Sequence, residues 1–144
     1  MKNNPDDLRH SSAHLLAAAV LDIYPDTKLA IGPAIENGFY YDFDFKKPIS
    51  ETDLPKIEKK MTEIVKSWKN FTRIEVTKKE ALAKFKNNPF KIELIEEFSK
   101  EDKTLSLYQS GNFVDLCKGG HCENPSQEVD AFKLLSIAGA YWRG

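Results

Sequence analysis

Thr104-Leu-Ser-Leu-Tyr-Gln-Ser-Gly-Asn-Phe-Val-Asp-Leu-Cys-Lys-Gly-Gly-His121 reads as two strands and a return loop. Thr104 to Gln109 and Asn112 to Cys117 form the strands, with Ser110-Gly111 as the turn between them. Beyond the second strand, Gly119 and Gly120 let the chain fold back sharply, because Gly reaches backbone angles that other residues avoid. Cys117 and His121, four residues apart, can then point at one spot.

Working outward, His10 and His14 are also four apart, a spacing that puts both on one face of a helix. The chain has three histidines, and all belong to these two pairs. His10, His14, Cys117 and His121 make a His3Cys set, which tetrahedral zinc accepts. The same four residues fit equally a hydrolytic site that keeps the ligand geometry without a metal.

Around these pairs the elements follow in order. Asn4-Pro5-Asp6-Asp7 reads as a helix start, with Asn4 as cap, Pro5 at the first helical position and two acids at the positive end of the dipole. The helix should run to about Ile23, because Pro25 stops it. Leu8, Leu15, Val20 and Ile23 give it an apolar side. A hairpin follows: Leu29 to Ile35, a Glu36-Asn37-Gly38 turn, then Phe39 to Phe45. Its second arm alternates, with Phe39, Tyr41, Phe43 and Phe45 on one face and Tyr40, Asp42 and Asp44 on the other. Gly32-Pro33 breaks the first arm, either as a bulge or as a place where a ligand approaches.

Leu54, Ile57, Met61, Ile64, Val65 and Trp68 predict an amphipathic helix of about four to five turns. Phe71 to Val76 reads as a short strand. Thr77-Lys78-Lys79-Glu80 is a capping box that opens another helix. Asn88-Pro89 ends that helix and begins the next, which carries Phe90, Lys91, Leu94 and Ile95. A polar loop is expected from His121 to about Asp130, then a final strand from Phe132 to Trp142 with a break at Gly139. This order predicts an α+β fold, a mainly antiparallel sheet packed against helices.

With 144 residues, 41% hydrophobic and 30% charged, the chain suits one domain with a real core. Its net charge of −1 excludes a global attraction to nucleic acid, although residues 56 to 103 hold 13 Lys+Arg against 9 Asp+Glu. No signal peptide and no membrane-length apolar run is present. Cys117 and Cys122 beside a histidine suit a reduced, cytoplasmic protein better than a disulfide scaffold, with Cys122 expected only to pack. Both ends read as cut, so a fragment of a longer protein is expected.

Five stretches together resemble one family: Arg9-His-Ser-Ser-Ala-His14, Ala30-Ile-Gly-Pro33, Asn37-Gly-Phe-Tyr-Tyr-Asp42, Val114-Asp-Leu-Cys-Lys-Gly-Gly-His121 and Phe132-Lys-Leu-Leu-Ser-Ile-Ala-Gly-Ala-Tyr-Trp-Arg-Gly144. They are similar to the editing domain of threonyl-tRNA synthetases, the second additional domain shared with alanyl-tRNA synthetases and free-standing alanyl-tRNA editing proteins. The Gly-Phe-Tyr-Tyr-Asp hairpin and the Ala-Gly-Ala-Tyr-Trp-Arg-Gly tail point to the threonyl branch. One departure is Gly119-Gly120, where the family commonly has Gly-Pro before the last histidine. Glycine there loosens the loop that carries His121.

The resemblance implies a single editing domain over residues 1–144, cut from a longer synthetase and without aminoacylation activity of its own. It implies hydrolysis of mischarged seryl-tRNA(Thr) through an activated water. Serine lacks one methyl of threonine, a difference worth only about 1–3 kcal/mol to a synthetic pocket, so a second site with the opposite bias is needed. By motif position, His10, His14, Cys117, His121 and Lys91 form the catalytic centre, with His10 and Lys91 activating water and moving protons. Tyr41 and Asp115 are substrate-binding positions for the seryl amine, hydroxyl or terminal ribose.

Zinc on His10, His14, Cys117 and His121 is the implied metal of the alanyl relatives, whereas the threonyl branch implies work through water with no required cofactor. The implied partners are the acceptor end of tRNA(Thr) carrying serine and the remaining synthetase domains, with no membrane. Tyr40, Tyr41 or Tyr108 could stack on the terminal adenine. Three rival readings remain: a free-standing deacylase for Ser- or Gly-tRNA(Ala), a non-catalytic zinc-stabilised module, and a hydrolase with Cys117 as nucleophile.

Overall fold

A computed structural model describes residues 5–32, 34–35, 38–101, 104–117, 121, 123–129 and 132–134, and the side chains of residues 5, 34 and 35 lie outside the description. Helix α1 spans Pro5–Ile23, the bounds that Pro5 and Pro25 predict. The expected apolar side is corrected to burial on every side, since residues 11 to 20 are all buried. Small Ala and Ser side chains let neighbours close in from every direction. Ser11 and Ser12 satisfy their hydroxyls by donating to the Asp7 and Leu8 carbonyls, each at 2.8 Å. A helix buried all round is a core element, and this carries His14 into the interior.

Strands β1 (Lys28–Leu29), β2 (Ala34–Ile35), β3 (Gly38–Phe39) and β4 (Phe43–Asp44) build the hairpin as two antiparallel ladders, β1 with β4 and β2 with β3. Between Leu29↔Phe43 and Ala34↔Phe39 the first arm has one residue more than the second. The extra residue is a bulge at Ala30-Ile31. Asp42 accepts from the Ala30 N–H at 2.9 Å and donates to the Ile31 carbonyl at 2.8 Å. The bulge therefore precedes Gly32. What approaches Gly32 is the ring of Tyr41: a Cβ built there would lie 2.7 Å from Tyr41 Cγ and from the Tyr40 carbonyl. The alternation of the second arm holds. Tyr41, Phe43 and Phe45 stack in series at 5.1 and 5.3 Å, while Tyr40 is 43% exposed on the other face.

A 3-10 turn at Glu51–Asp53 leads into α2 (Leu54–Val65), which packs Leu54, Ile57, Met61 and Val65 into the core around α1. This helix is shorter than its periodicity predicts. Ser67 and Trp68 donate to the carbonyls three residues back, at 3.0 Å each, and the Ser67 hydroxyl also bonds Ile64. These bonds tighten the last turn, and Trp68 is buried beyond it.

Next come β5 (Thr72–Thr77), α3 (Lys78–Lys84), α4 (Pro89–Phe98), β6 (Thr104–Ser110) and β7 (Phe113–Leu116). The predicted capping box forms: Glu80 N–H donates to Thr77 Oγ1 at 3.1 Å and Thr77 N–H to the Glu80 carboxylate at 2.8 Å. Gly111 turns β6 into β7 at a φ of 58°, which a Cβ would strain. The sheet runs β5-β6-β7, antiparallel throughout. Its period of two sorts the faces. Leu105, Leu107 and Leu116 pack with Ala81, Leu94 and Ile95 of α3 and α4. Phe113 joins the core around α1, and Asp115 and Cys117 follow it on that face.

Each ladder is antiparallel as expected, but the described residues form three separate sheets, because the bulge divides the hairpin and no strand pairing joins it to β5-β6-β7. Helix α5 (Pro125–Glu128) occupies part of the expected loop, its start held by the Glu128 carboxylate on the Asn124 N–H at 2.6 Å. Phe132 to Leu134 is irregular. Asn4, Pro33, the Glu36-Asn37 turn, the Gly119-Gly120 loop, Cys122 and the rest of the expected final strand lie outside the described residues.

Candidate functional site

Helix α1 presents His10 and His14 one turn apart, with ring centroids at 4.8 Å. Strand β7 delivers Cys117 just past its end, and His121 follows. His10 Nε2 lies 3.2 Å from His14 Nε2 and 3.3 Å from Cys117 Sγ, and Cys117 Sγ lies 3.5 Å from His121 Nε2. The four donor atoms all fall within 4.8 Å of one another. The two pairs, about a hundred residues apart in sequence, thus meet at one spot.

Aromatic rings hold His121 in place. It stacks between His10 at 4.4 Å and Phe71 at 4.3 Å, with Tyr108 at 4.6 Å. Burial, and then the neighbouring His14 and His10, push its imidazole down to about 2. It is therefore neutral at physiological pH, and its buried Nδ1 has no hydrogen-bond partner among the described residues. Sequence reasoning took Phe71 only as the start of a strand. A lone aromatic before β5 carries no local signal for a ring contact with a residue 50 positions on.

Behind the cluster is a closed charge network. Lys91 Nζ lies 2.7 Å from Asp115 Oδ1 and donates to the Tyr41 hydroxyl at 3.0 Å. Tyr41 in turn donates to Asp115 Oδ2 at 2.5 Å, and the Leu116 N–H donates to Oδ1 at 2.8 Å. His14 Nδ1 is 3.3 Å from Asp115 Oδ2, in ion-pair range but without the alignment of a good hydrogen bond. Burial acts to raise the Asp115 carboxyl, but the Lys91 charge and then His14 override it and hold the acid well below the usual carboxylate range. Burial, and then the Asp115 charge, raise the Tyr41 phenol well above 10.0, so it keeps its proton and donates.

All seven residues expected at the site therefore lie in one continuous assembly. Lys91, Asp115 and Tyr41 are turned inward on each other, exposed by 2%, 1% and 7%. The stacking role expected of Tyr41 is thereby corrected: its ring is packed under Phe43 and cannot receive a base. Tyr108 is half-buried against His121, which leaves Tyr40 as the exposed ring of the three.

The donor types suit zinc. A tetrahedral site with usual Zn–N and Zn–S lengths needs ligand separations of roughly 3.3–3.6 Å; three pairs stand at 3.2, 3.3 and 3.5 Å, while the set as a whole spreads over up to 4.8 Å and would have to close on an ion. Asp115 behind His14 Nδ1 also matches the carboxylate that orients a metal-binding histidine. No helix of the described residues is long and apolar enough to cross a membrane.

No family model matches the chain. Curated relatives named "Threonine--tRNA ligase" do. One from Borrelia turicatae is 55% identical over 137 residues, which cover 94% of this chain. One from Dehalococcoides mccartyi is 53% identical over 95% of this chain. One from Borreliella burgdorferi is 53% identical over 94%. The chain spans about a quarter of the length of each, 23% in all three. Across nearly all of its own length, then, the chain is similar to one segment of the threonine–tRNA ligases.

Proposed function

We propose that this chain is the proofreading domain of a threonine–tRNA ligase and hydrolyses the ester of seryl-tRNA(Thr) with a water activated at the His/Cys cluster. The observation that carries this is the junction of two assemblies in a relative of that enzyme: a polar His/Cys cluster and, directly behind it, a buried Lys91–Asp115–Tyr41 network. Ester hydrolysis needs a positioned water, a polar surround for the tetrahedral oxyanion and a proton for the departing ribose oxygen. His10, half-buried at the cluster, polarises the water. Cys117 and the neutral His121 shape its seat and form hydrogen bonds with it.

Lys91, Asp115 and Tyr41 act from behind. Asp115 faces His14 Nδ1, which leaves His14 Nε2 as the nitrogen that meets His10. The network thus acts on His14 through charge at 3.3 Å, without the aligned hydrogen bond of a triad carboxylate. Partners on this reading are the acceptor end of tRNA(Thr) and the remaining domains of the ligase, in the cytoplasm. Tyr40 is the ring available for a base.

The donor set favours a second reading, a zinc site. His10, His14, Cys117 and His121 would hold the ion. Zinc would polarise an ester carbonyl or lower the pKa of a water, or it would only stabilise the fold.

Deacylation of Ser-tRNA(Thr), Thr-tRNA(Thr) and Ser-tRNA(Ala), with and without chelator, tests these readings together. Hydrolysis of Ser-tRNA(Thr) alone, indifferent to chelator, is expected. Loss on chelation with rescue by zinc keeps the activity and makes it metal-dependent. Preference for Ser-tRNA(Ala) assigns the chain to the alanyl editing proteins. Absence of hydrolysis in both the chain and the full-length ligase, with unfolding on chelation, leaves a structural zinc module.

A further inference from the structure

The buried network draws on three separate parts of the fold: Lys91 from α4, Tyr41 from the segment between β3 and β4, and Asp115 from β7. Something must hold α4 against the hairpin so that Lys91 Nζ and the Tyr41 hydroxyl arrive 3.0 Å apart. One side chain spans that gap. Asn88 Oδ1 accepts from the Phe90 N–H at 3.1 Å and from the N–H of Lys91 itself at 3.2 Å. Its Nδ2 donates to the Leu29 carbonyl at 2.7 Å, 59 residues away in sequence.

Leu29 is the last paired residue before the Ala30-Ile31 bulge, whose partner Asp42 adjoins Tyr41. Asn88 thus grips the backbone of one network member directly and the hairpin arm opposite the other. A helix cap needs only the oxygen of this side chain. The amide nitrogen serves the hairpin alone, and Ser, Thr or Asp would cap α4 without it.

We infer that Asn88 is a positioning residue for the deacylation reaction, setting the register between α4 and the hairpin and thereby the Lys91–Tyr41–Asp115 geometry behind His14. This rests on the proofreading reading above. Asn88 touches no substrate and acts through Lys91 and Tyr41. A displacement of about 1 Å is enough to matter, since mispositioning at that scale costs up to about a hundredfold in rate.

Asn88→Asp separates the two tasks. It keeps a carboxylate oxygen for the cap, removes the donor to Leu29 and turns a second acceptor toward that carbonyl. Asn88→Ser removes the donor without that repulsion. The measurements are melting temperature, kcat and KM for Ser-tRNA(Thr), and the 15N resonance and solvent-exchange protection of the Lys91 ammonium by NMR. We expect folded proteins with a modestly lowered melting temperature, more so in Asn88→Asp, a kcat lowered about tenfold with KM unchanged, and a shifted, less protected Lys91 signal in both variants.

An unchanged Lys91 signal, or an unchanged kcat, overturns the inference. So does collapse of both variants, which would make Asn88 purely structural. If the wild-type chain and the full-length ligase both fail to deacylate, but the Lys91 signal still moves in the variants, the proofreading reading has failed. The grip of Asn88 on the network then stands, and its link to catalysis falls.

Discussion

Asp115 and Lys91 meet at 2.7 Å, Oδ1 to Nζ, with each side chain only 2% exposed. Burying two charges is costly, and removing one partner leaves the other uncompensated. Lys91→Met should therefore destabilise the domain by about 3–5 kcal/mol, read from urea unfolding midpoints. Lys91→Met with Asp115→Leu should recover much of the loss, because a well-packed apolar pair is no worse than a buried ion pair. A double variant as unstable as the single one would refute this account of the pair.

Gly32 faces the Tyr41 ring, and a Cβ there would intrude on it. Gly32→Ala should destabilise by about 1–3 kcal/mol, the usual range for overpacking. In Gly32→Ala/Tyr41→Ala the penalty for the glycine change should shrink, because the ring it strikes is gone. Thermodynamic coupling near zero between the two sites would count against the contact.

His121 is held neutral by burial and by His14 and His10, down to about 2 against an ordinary 6.5. Its folded value is lowered, so the unfolded chain binds the proton first. Stability from this residue is fully present above about pH 6.5 and falls as pH drops below it, toward the folded value. Urea midpoints of the chelator-treated protein should decline from pH 7 to pH 5. His121→Phe should flatten that decline, and an equally steep slope in the variant would show that another group carries it.

His10 lies between His14 Nε2 and Cys117 Sγ. His10→Ala should reduce seryl-tRNA(Thr) deacylation by about a hundredfold or more, the lower range for losing an acid–base group. Its melting should change little, since His10 is only half-buried. On the proposed mechanism Cys117→Ser should be milder, because there Cys117 is a neighbour of the water and not the nucleophile. Complete loss in Cys117→Ser with full activity in His10→Ala would invert these roles.

Local signals were legible where the physics is local. Pro5 and Pro25 bounded α1, the Thr77–Glu80 box opened α3, Asn88-Pro89 started α4, and Gly111 marked the turn from β6 into β7, one residue later than expected, at Gly111-Asn112. Each depends on backbone angles or caps within a few residues. The two Cys/His pairs were also visible, because i, i+4 spacing on a helix and a short loop after a strand each bring side chains together.

Only the tertiary structure decided the rest. It enclosed α1 on all sides, placed the bulge at Ala30-Ile31, set Phe71 against His121, and closed Lys91 and Tyr41 on Asp115. Lys91 and Tyr41 are 50 positions apart, and Tyr41 and Asp115 are 74. No propensity or period encodes such a distance. The sequence by itself determined which side chains could do the chemistry, and packing around a buried helix decided which of them face the site and which stand behind it.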